Sequence, residues 1–199
     1  MNIYFKDRDG STPLDPNLKG LKNKLITTMG ELDILEETNI AIGLLWLENY
    51  SQKEFYSTKF LLELHKHLFN DVWNWAGKIR NIELANTKFS PFYRIREDLL
   101  NLERDVQTWL DHKSFKEDEI AARYHHRLIL IHPFNNGNGR TTRIACEFFC
   151  KKLSFKIPTW SKSLEAKSRR ENYLKALRLM DEEDDANLLV DFMFNPWFS

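Results

Sequence analysis

Apolar residues recur at three- and four-residue intervals through most of the chain, and the breaks in that rhythm mark out its elements. Residues 1–24 (MNIYFKDRDGSTPLDPNLKGLKNK) sustain no period and are rich in Gly and Pro, which predicts an irregular arm. From Glu31, the run ELDILEETNIAIGLLWLENY places Leu35, Ile42 and Trp46 near helical spacing, with acids at its start, where a helix dipole favours them. A second helix is predicted from Ser57 or Thr58, carried by Leu61, Leu64 and Leu68; DVWNWAG closes it, with Gly77 as the stop. In KIRNIELANTKFSPFYRI the period changes. Ile79, Ile82 and Leu84 beside a polar Ala85-Asn86-Thr87 centre predict a short hairpin or extended flap, ended at Pro91. Helical spacing resumes over 95–111, and again after the capping-box pattern Ser114-x-x-Glu117, where Ile120, Tyr124, Leu128 and Ile131 repeat. Pro133 breaks that helix near His132. RTTRIACEFFCKKL, SLEAKSRRENYLKALRLM and DDANLLVDFMF are three more predicted helices, the last two separated by the acidic run DEEDD. The fold class is therefore all-α, a helical bundle with a small β-hairpin flap.

Composition narrows the class. A chain of 199 residues, 42% hydrophobic and 13% aromatic, suits one globular domain with a real core. Its 29 basic residues equal its 29 acidic ones, so no overall field draws it to nucleic acid or to an anionic membrane, and neither is expected as a direct partner. Cys146 and Cys150 lie four apart in a helical pattern and read as reduced core thiols. No secretory leader opens the sequence and no apolar run approaches the ~20 residues of a membrane span, which makes a cytoplasmic protein the expectation.

The stretch HPFNNGNGR, residues 132–140, changes the picture. Gly137 and Gly139 permit close backbone approach at the start of a helix, whose unpaired N–H groups and positive dipole end form a natural anion site. Arg140 and Arg143 fall in the first turns of that helix, where cations oppose the dipole unless they grip an anion such as phosphate. His132, at the end of the preceding helix, can take a hydroxyl proton near neutral pH, which suggests transfer of a phosphorus-containing group onto a hydroxyl. Phe134 reads as the apolar anchor of the loop. The plain alternative is a capped turn with a packed histidine. His65-Lys66-His67 and His125-His126 lack a zinc-ligand spacing and read as solvent-facing or hydrogen-bonded, and Trp73 and Trp75 read as core.

HPFNNGNGRTTR resembles the HPFx(D/E)GNGRxxR signature of the Fic/DOC family, and LHKHLFNDVWNWAGKIRN resembles the helix that leads into that family's flap. The likeness covers roughly residues 55–185 and divides the chain into an N-terminal arm and helix, 1–54, and a Fic domain with C-terminal helices, 55–199. DGSTPLDP, GELDILEETNI and the Asn within the motif are similar to the subgroup called mobile mystery protein B. The resemblance implies a Fic-fold adenylyltransferase that moves AMP from ATP to a Ser, Thr or Tyr hydroxyl of a target protein. It makes His132 the general base and assigns the nucleotide to Asn136, Gly137, Asn138, Gly139, Arg140 and Arg143. Asn172 or Tyr173 would line the adenine pocket, and a target-docking flap would run through Leu84, Ala85, Asn86 and Thr87. It also implies Mg²⁺ or Mn²⁺, but Asn136 stands where the family has an acid, so the metal would be weakly held. Three outcomes stay open: a slow adenylyltransferase, an enzyme with another nucleotide or metal requirement, or a nucleotide-binding module without catalysis. Kinase-like phosphate transfer is a further reading. Asp33-x-x-x-Glu37-Thr38-Asn39, within residues 31–49, is similar to the family's inhibitory helix, which would pair Glu37 with Arg143. A toxin-like role is implied by the same likeness; the oligomeric state is not.

Overall fold

The computed structural model describes residues 19–84 and 88–195, which fold into seven helices. Helix α1 (Met29–Glu48) opens with a true capping box: the Thr28 hydroxyl accepts the Glu31 amide, and the Glu31 carboxylate accepts the Thr28 amide. Its buried face is Leu32, Glu36, Asn39, Ile40, Gly43 and Leu47. The predicted stripe of Leu35, Ile42 and Trp46 is therefore displaced around the helix; Ile42 is 53% exposed, and Leu35 and Trp46 are half-buried. The true stripe hides from a hydropathy pattern because two of its members are polar and buried with partners. Asn39 donates to the His67 carbonyl (3.2 Å) and accepts the Asp71 amide (2.8 Å), while Glu36 accepts the Trp73 indole N–H (2.7 Å).

Helix α2 (Thr58–Phe69) follows its Ser57 cap and turns Leu61, Leu64, His65 and Leu68 inward. It packs closely on α1 at Gly43, where a Cβ would come within 2.8 Å of the His67 carbonyl oxygen. The chain then turns through Asp71–Gly77. Leu21 and Trp73 form an isolated antiparallel bridge that ties the described end of the N-terminal arm to this turn, flanked by Lys22 N to Val72 O (2.9 Å) and Asn74 N to Gly20 O (2.9 Å).

Helix α3 (Ile95–His112) and helix α4 (Glu117–Ile131) come next. Ser114 does not cap α4. Its amide closes the end of α3 on the Trp109 carbonyl, and α4 starts after Lys116 without a side-chain cap, its first turn carrying Glu117, Asp118 and Glu119 against the dipole. Ile120, Tyr124, Leu128 and Ile131 are buried as their spacing predicts. Helix α5 (Asn138–Leu153) is buried continuously from Thr141 to Cys150, and both cysteines are free within it. Helix α6 (Ala166–Glu183) runs on into the acidic run, and helix α7 (Asn187–Phe194) completes the bundle. α5 lies against α2 and α4; α3 also packs on both of these, α7 on α4 and α6, and α1 on α2.

The arms of the expected flap, residues 78–84 and 88–90, are non-helical, and the tip Ala85–Thr87 lies outside the described residues. Among the described residues no helix is long and apolar enough to cross a membrane. Gly43→Ala is expected to lower stability by about 1–3 kcal/mol through overpacking against the α2 backbone. A chemical-denaturation midpoint equal to wild type would show that α1 does not dock this closely.

Candidate active site

The site is the bend between α4 and α5. Pro133 cannot prolong α4, and His132 ends it in the left-handed region (φ 47°, ψ 59°), its amide bonded to the Leu128 carbonyl. Phe134 turns into the core, with no exposed surface, and stacks on the His65 ring at 3.6 Å between centroids. The Asn138 side chain closes the loop reciprocally, accepting the Phe134 amide (2.9 Å) and donating to the Phe134 carbonyl (2.8 Å). Gly137 takes φ +77°, and a Cβ there would approach the Phe69 ring to 2.7 Å, so glycine alone fits.

His65 is the second support. The Gly77 amide donates to its Nδ1 (2.8 Å), which leaves Nε2 to donate to the Asn136 carbonyl (3.1 Å). Burial pushes its pKa down to about 3, so it holds the loop as a neutral imidazole. His65 is therefore one of the hydrogen-bonded histidines expected from the sequence, and a helical reading of Leu61, Leu64, His65 and Leu68 as one face locates it.

At the top of the loop Asn135 and Asn136 are exposed. The Asn136 side-chain oxygen accepts the Gly137 amide (2.7 Å). Behind it α5 begins, and the amides of Asn138, Gly139 and Arg140 in its first turn have no acceptor within the helix. The Asn138 side chain is committed to the loop, so its backbone N–H is the group it offers to an anion.

The two arginines are held differently. Arg140 lies over the Phe69 ring and pairs with Glu36 at 2.5 Å, and Glu36 also holds Trp73. An α1 acid thus meets the motif at Arg140, one residue before Glu37, which is half-buried. Arg143 is buried, which pushes its pKa down, while the hydroxyl of Tyr173 supports its charge. Tyr173 also meets His125 Nε2 at 2.8 Å, so this residue from α6 joins the motif through Arg143. Asn172 instead donates to the Ser168 carbonyl of its own helix (3.0 Å).

His132 is half-buried, and its ring stacks on Phe89 of the flap arm at 3.9 Å. Its pKa is lowered to about 4, first by burial and also by the Arg80 charge, with the Ile129 backbone pulling upward. The imidazole is neutral at pH 7 and able to accept a proton. Arg80, Phe89 and Glu36 carry no periodic or motif signal in this role. Leu84, the described end of the expected docking segment, is half-buried. Among the described residues no three His, Cys, Asp or Glu side chains gather as a metal site. The protein offers one neutral amide oxygen at Asn136, already accepting one hydrogen bond, which does not fit a resident metal.

Comparison with known proteins bears on the fold and the family. Residues 55–150 match the model of the Fic/DOC family. The chain is 28% identical over 140 residues to the protein adenylyltransferase VbhT of Bartonella schoenbuchensis, a match covering 68% of this chain and 28% of that protein. It is 34% identical over 99 residues to the protein adenylyltransferase fic-1 of Caenorhabditis briggsae, covering 48% and 19% respectively. These matches span less than a third of each relative's length. Among solved structures, BepC of Bartonella tribocorum with bound AMPPNP superposes with a TM-score of 0.67 at 18% identity, over 90% of this chain and 92% of that one. A Fic domain from Bartonella quintana with bound ADP gives 0.67 at 20% identity, over 89% and 90%. The fold is the all-α Fic fold.

The buried histidines make stability depend on pH. His65 and His125 are held to about 3 and His132 to about 4, below the ordinary 6.5, so the folded state binds fewer protons than the unfolded one through this range. Their contribution is complete above about pH 6.5 and is lost as pH falls toward 3. His65→Gln is expected to remove up to one proton from the slope of unfolding free energy against pH between about pH 6 and 4, or ~1.4 kcal/mol per pH unit. Equal slopes in variant and wild type would contradict the buried neutral imidazole.

Proposed function

This chain carries a Fic/DOC family domain at residues 55–150, and from that premise we propose that it is a protein adenylyltransferase, moving AMP from ATP to a Ser, Thr or Tyr hydroxyl of a target protein. The observation that carries the reading is the bend itself. A neutral, half-buried His132 stands beside the N-terminus of α5, with Arg140 and Arg143 on the first turns of the same helix. The α5 amides with the two arginines suit the phosphates of a nucleotide, and Tyr173 reaches the same region through Arg143. The hydroxyl oxygen of the target forms a bond to the α-phosphorus, the bond to the bridging oxygen breaks, and pyrophosphate leaves. The hydroxyl proton passes to a ring nitrogen of His132; Nδ1 is buried, which leaves Nε2 as the atom open to the target. A divalent cation, Mg²⁺ or Mn²⁺, would arrive with the nucleotide as part of the substrate, and Asn136 would offer it no more than a neutral amide oxygen. The target would dock along the flap, at the segment expected to run from Leu84 through Thr87, of which Leu84 is described.

The activity is regulated from α1. Nucleotide phosphates and Glu36 would compete for Arg140, so the segment that resembles the family's inhibitory helix would act through Glu36 as well as through Glu37, the residue the resemblance names. Glu36→Gln is expected to tighten ATP binding several-fold in calorimetry, with Glu37→Gln measured beside it; unchanged affinity in both would remove α1 from nucleotide control.

With α-labelled ATP, a divalent cation and a lysate, label should appear on protein and fall by roughly 10²-fold or more in His132→Ala, while nucleotide affinity is retained. Asn136→Asp, which puts an anionic oxygen where the chain has a neutral amide, is expected to raise the label. Label from γ-labelled but not α-labelled ATP would replace this reading with phosphate transfer. No label from any of the three proteins would leave a nucleotide-binding module.

A further inference from the structure

One fully shielded charge takes no part in the scheme above. The Arg80 side chain is 0% exposed, and its acidic neighbour Glu83, 58% exposed, stands 3.9 Å away. Its donors go instead to backbone carbonyls from three different stretches. Nε donates to His132 (2.8 Å), Nη1 to Ile82 (2.9 Å) and Nη2 to Ser90. The backbone adds two more ties in the same place, Arg80 N to Pro133 O (2.9 Å) and Ser90 N to Leu130 O (3.0 Å). Across the neck of the flap the Glu83 carboxylate accepts the Phe92 amide (3.0 Å), and Phe89 stacks on the His132 ring. Carbonyls at the end of α4, which the helix cannot satisfy, are thus taken up by the two arms of the flap, with a cation at the negative end of the dipole.

We propose that Arg80 is a positioning residue that locks both arms of the flap to the backbone of His132, so that a target laid along the flap meets the base in one fixed geometry. A guanidinium serves three carbonyls at once because its donors are spread around a rigid plane; an ammonium has neither the plane nor the reach. The nucleotide end of the site is held by other contacts, Asn138 on Phe134 and His65 on Asn136, none of which passes through Arg80. Loss of Arg80 therefore separates target positioning from nucleotide binding. This inference rests on the reading of His132 as the base and of the flap as the docking edge.

The experiment compares wild type, Arg80→Lys and Arg80→Gln in three measurements: ATP affinity, kcat for label transfer at saturating ATP, and amide hydrogen exchange at residues 81–90 and 130–134. The expected result is ATP affinity within about twofold of wild type, kcat lower by roughly 10²-fold from small misplacement of the base, and faster exchange in both segments together. Unchanged transfer would overturn the proposal, as would ATP affinity falling in parallel with transfer, which is what a purely structural residue gives. If wild type transfers nothing, the adenylyltransferase reading fails by itself. Exchange then decides: a joint rise in the two segments upholds the lock between flap and His132, and a rise in neither or only one overturns it. Where one variant does not fold, the other carries the test; failure of both to fold overturns it, making Arg80 a folding requirement.

Discussion

Two helix ends with opposite unmet needs face each other across six residues. α4 runs out at Ile131 with carbonyls that have no donor in the helix, and α5 begins at Asn138 with amides that have no acceptor. The protein resolves the first shortage internally, and the proposed nucleotide would meet the second. Arg80 and the amide of Ser90 satisfy the end of α4, which obliges the flap to lie at that end and brings Phe89 onto His132. The geometry around His132 and the geometry around the α5 N-terminus are thereby settled by one feature of helical backbone chemistry.

The polar groups that enforce this are buried, and each is matched. Asn39 carries an amide and a carbonyl of the α2 end, His65 joins Gly77 to the loop, and Asn138 saturates Phe134 in both directions. An unpaired group in any of these places would cost about 1–3 kcal/mol. Full pairing makes the arrangement specific, since a loop in any other conformation would strand several groups at once. Glu36 belongs to the same set and differs in one respect: its partner Arg140 is the residue the proposed function assigns to the nucleotide.

Much of this was legible in the sequence where the side chains act through their own type and spacing. The break at Pro133, Phe134 as anchor, the left-handed glycine at 137 and the buried faces of α2 and α4 all follow from local rules. The differences from the sequence pattern have separate causes. The α1 stripe was displaced because Glu36 and Asn39 occupy core positions that a hydropathy pattern assigns to solvent. Ser114 matched a capping pattern but was claimed by the end of α3. Arg80 and Phe89 act on backbone and ring atoms more than 40 residues away, and no local periodicity encodes such a partner.

The burial of α5 from Thr141 to Cys150 sets how the site can come apart. A helix packed on all sides cannot fray by itself at its first turn and then recover; its opening disrupts contacts with both α2 and α4. The first turn of α5 therefore opens only together with its packing on α2 and α4. Destabilising changes deep in the core, near Phe149 for example, reach it as a loss of the population that holds it, with no residue of the motif touched.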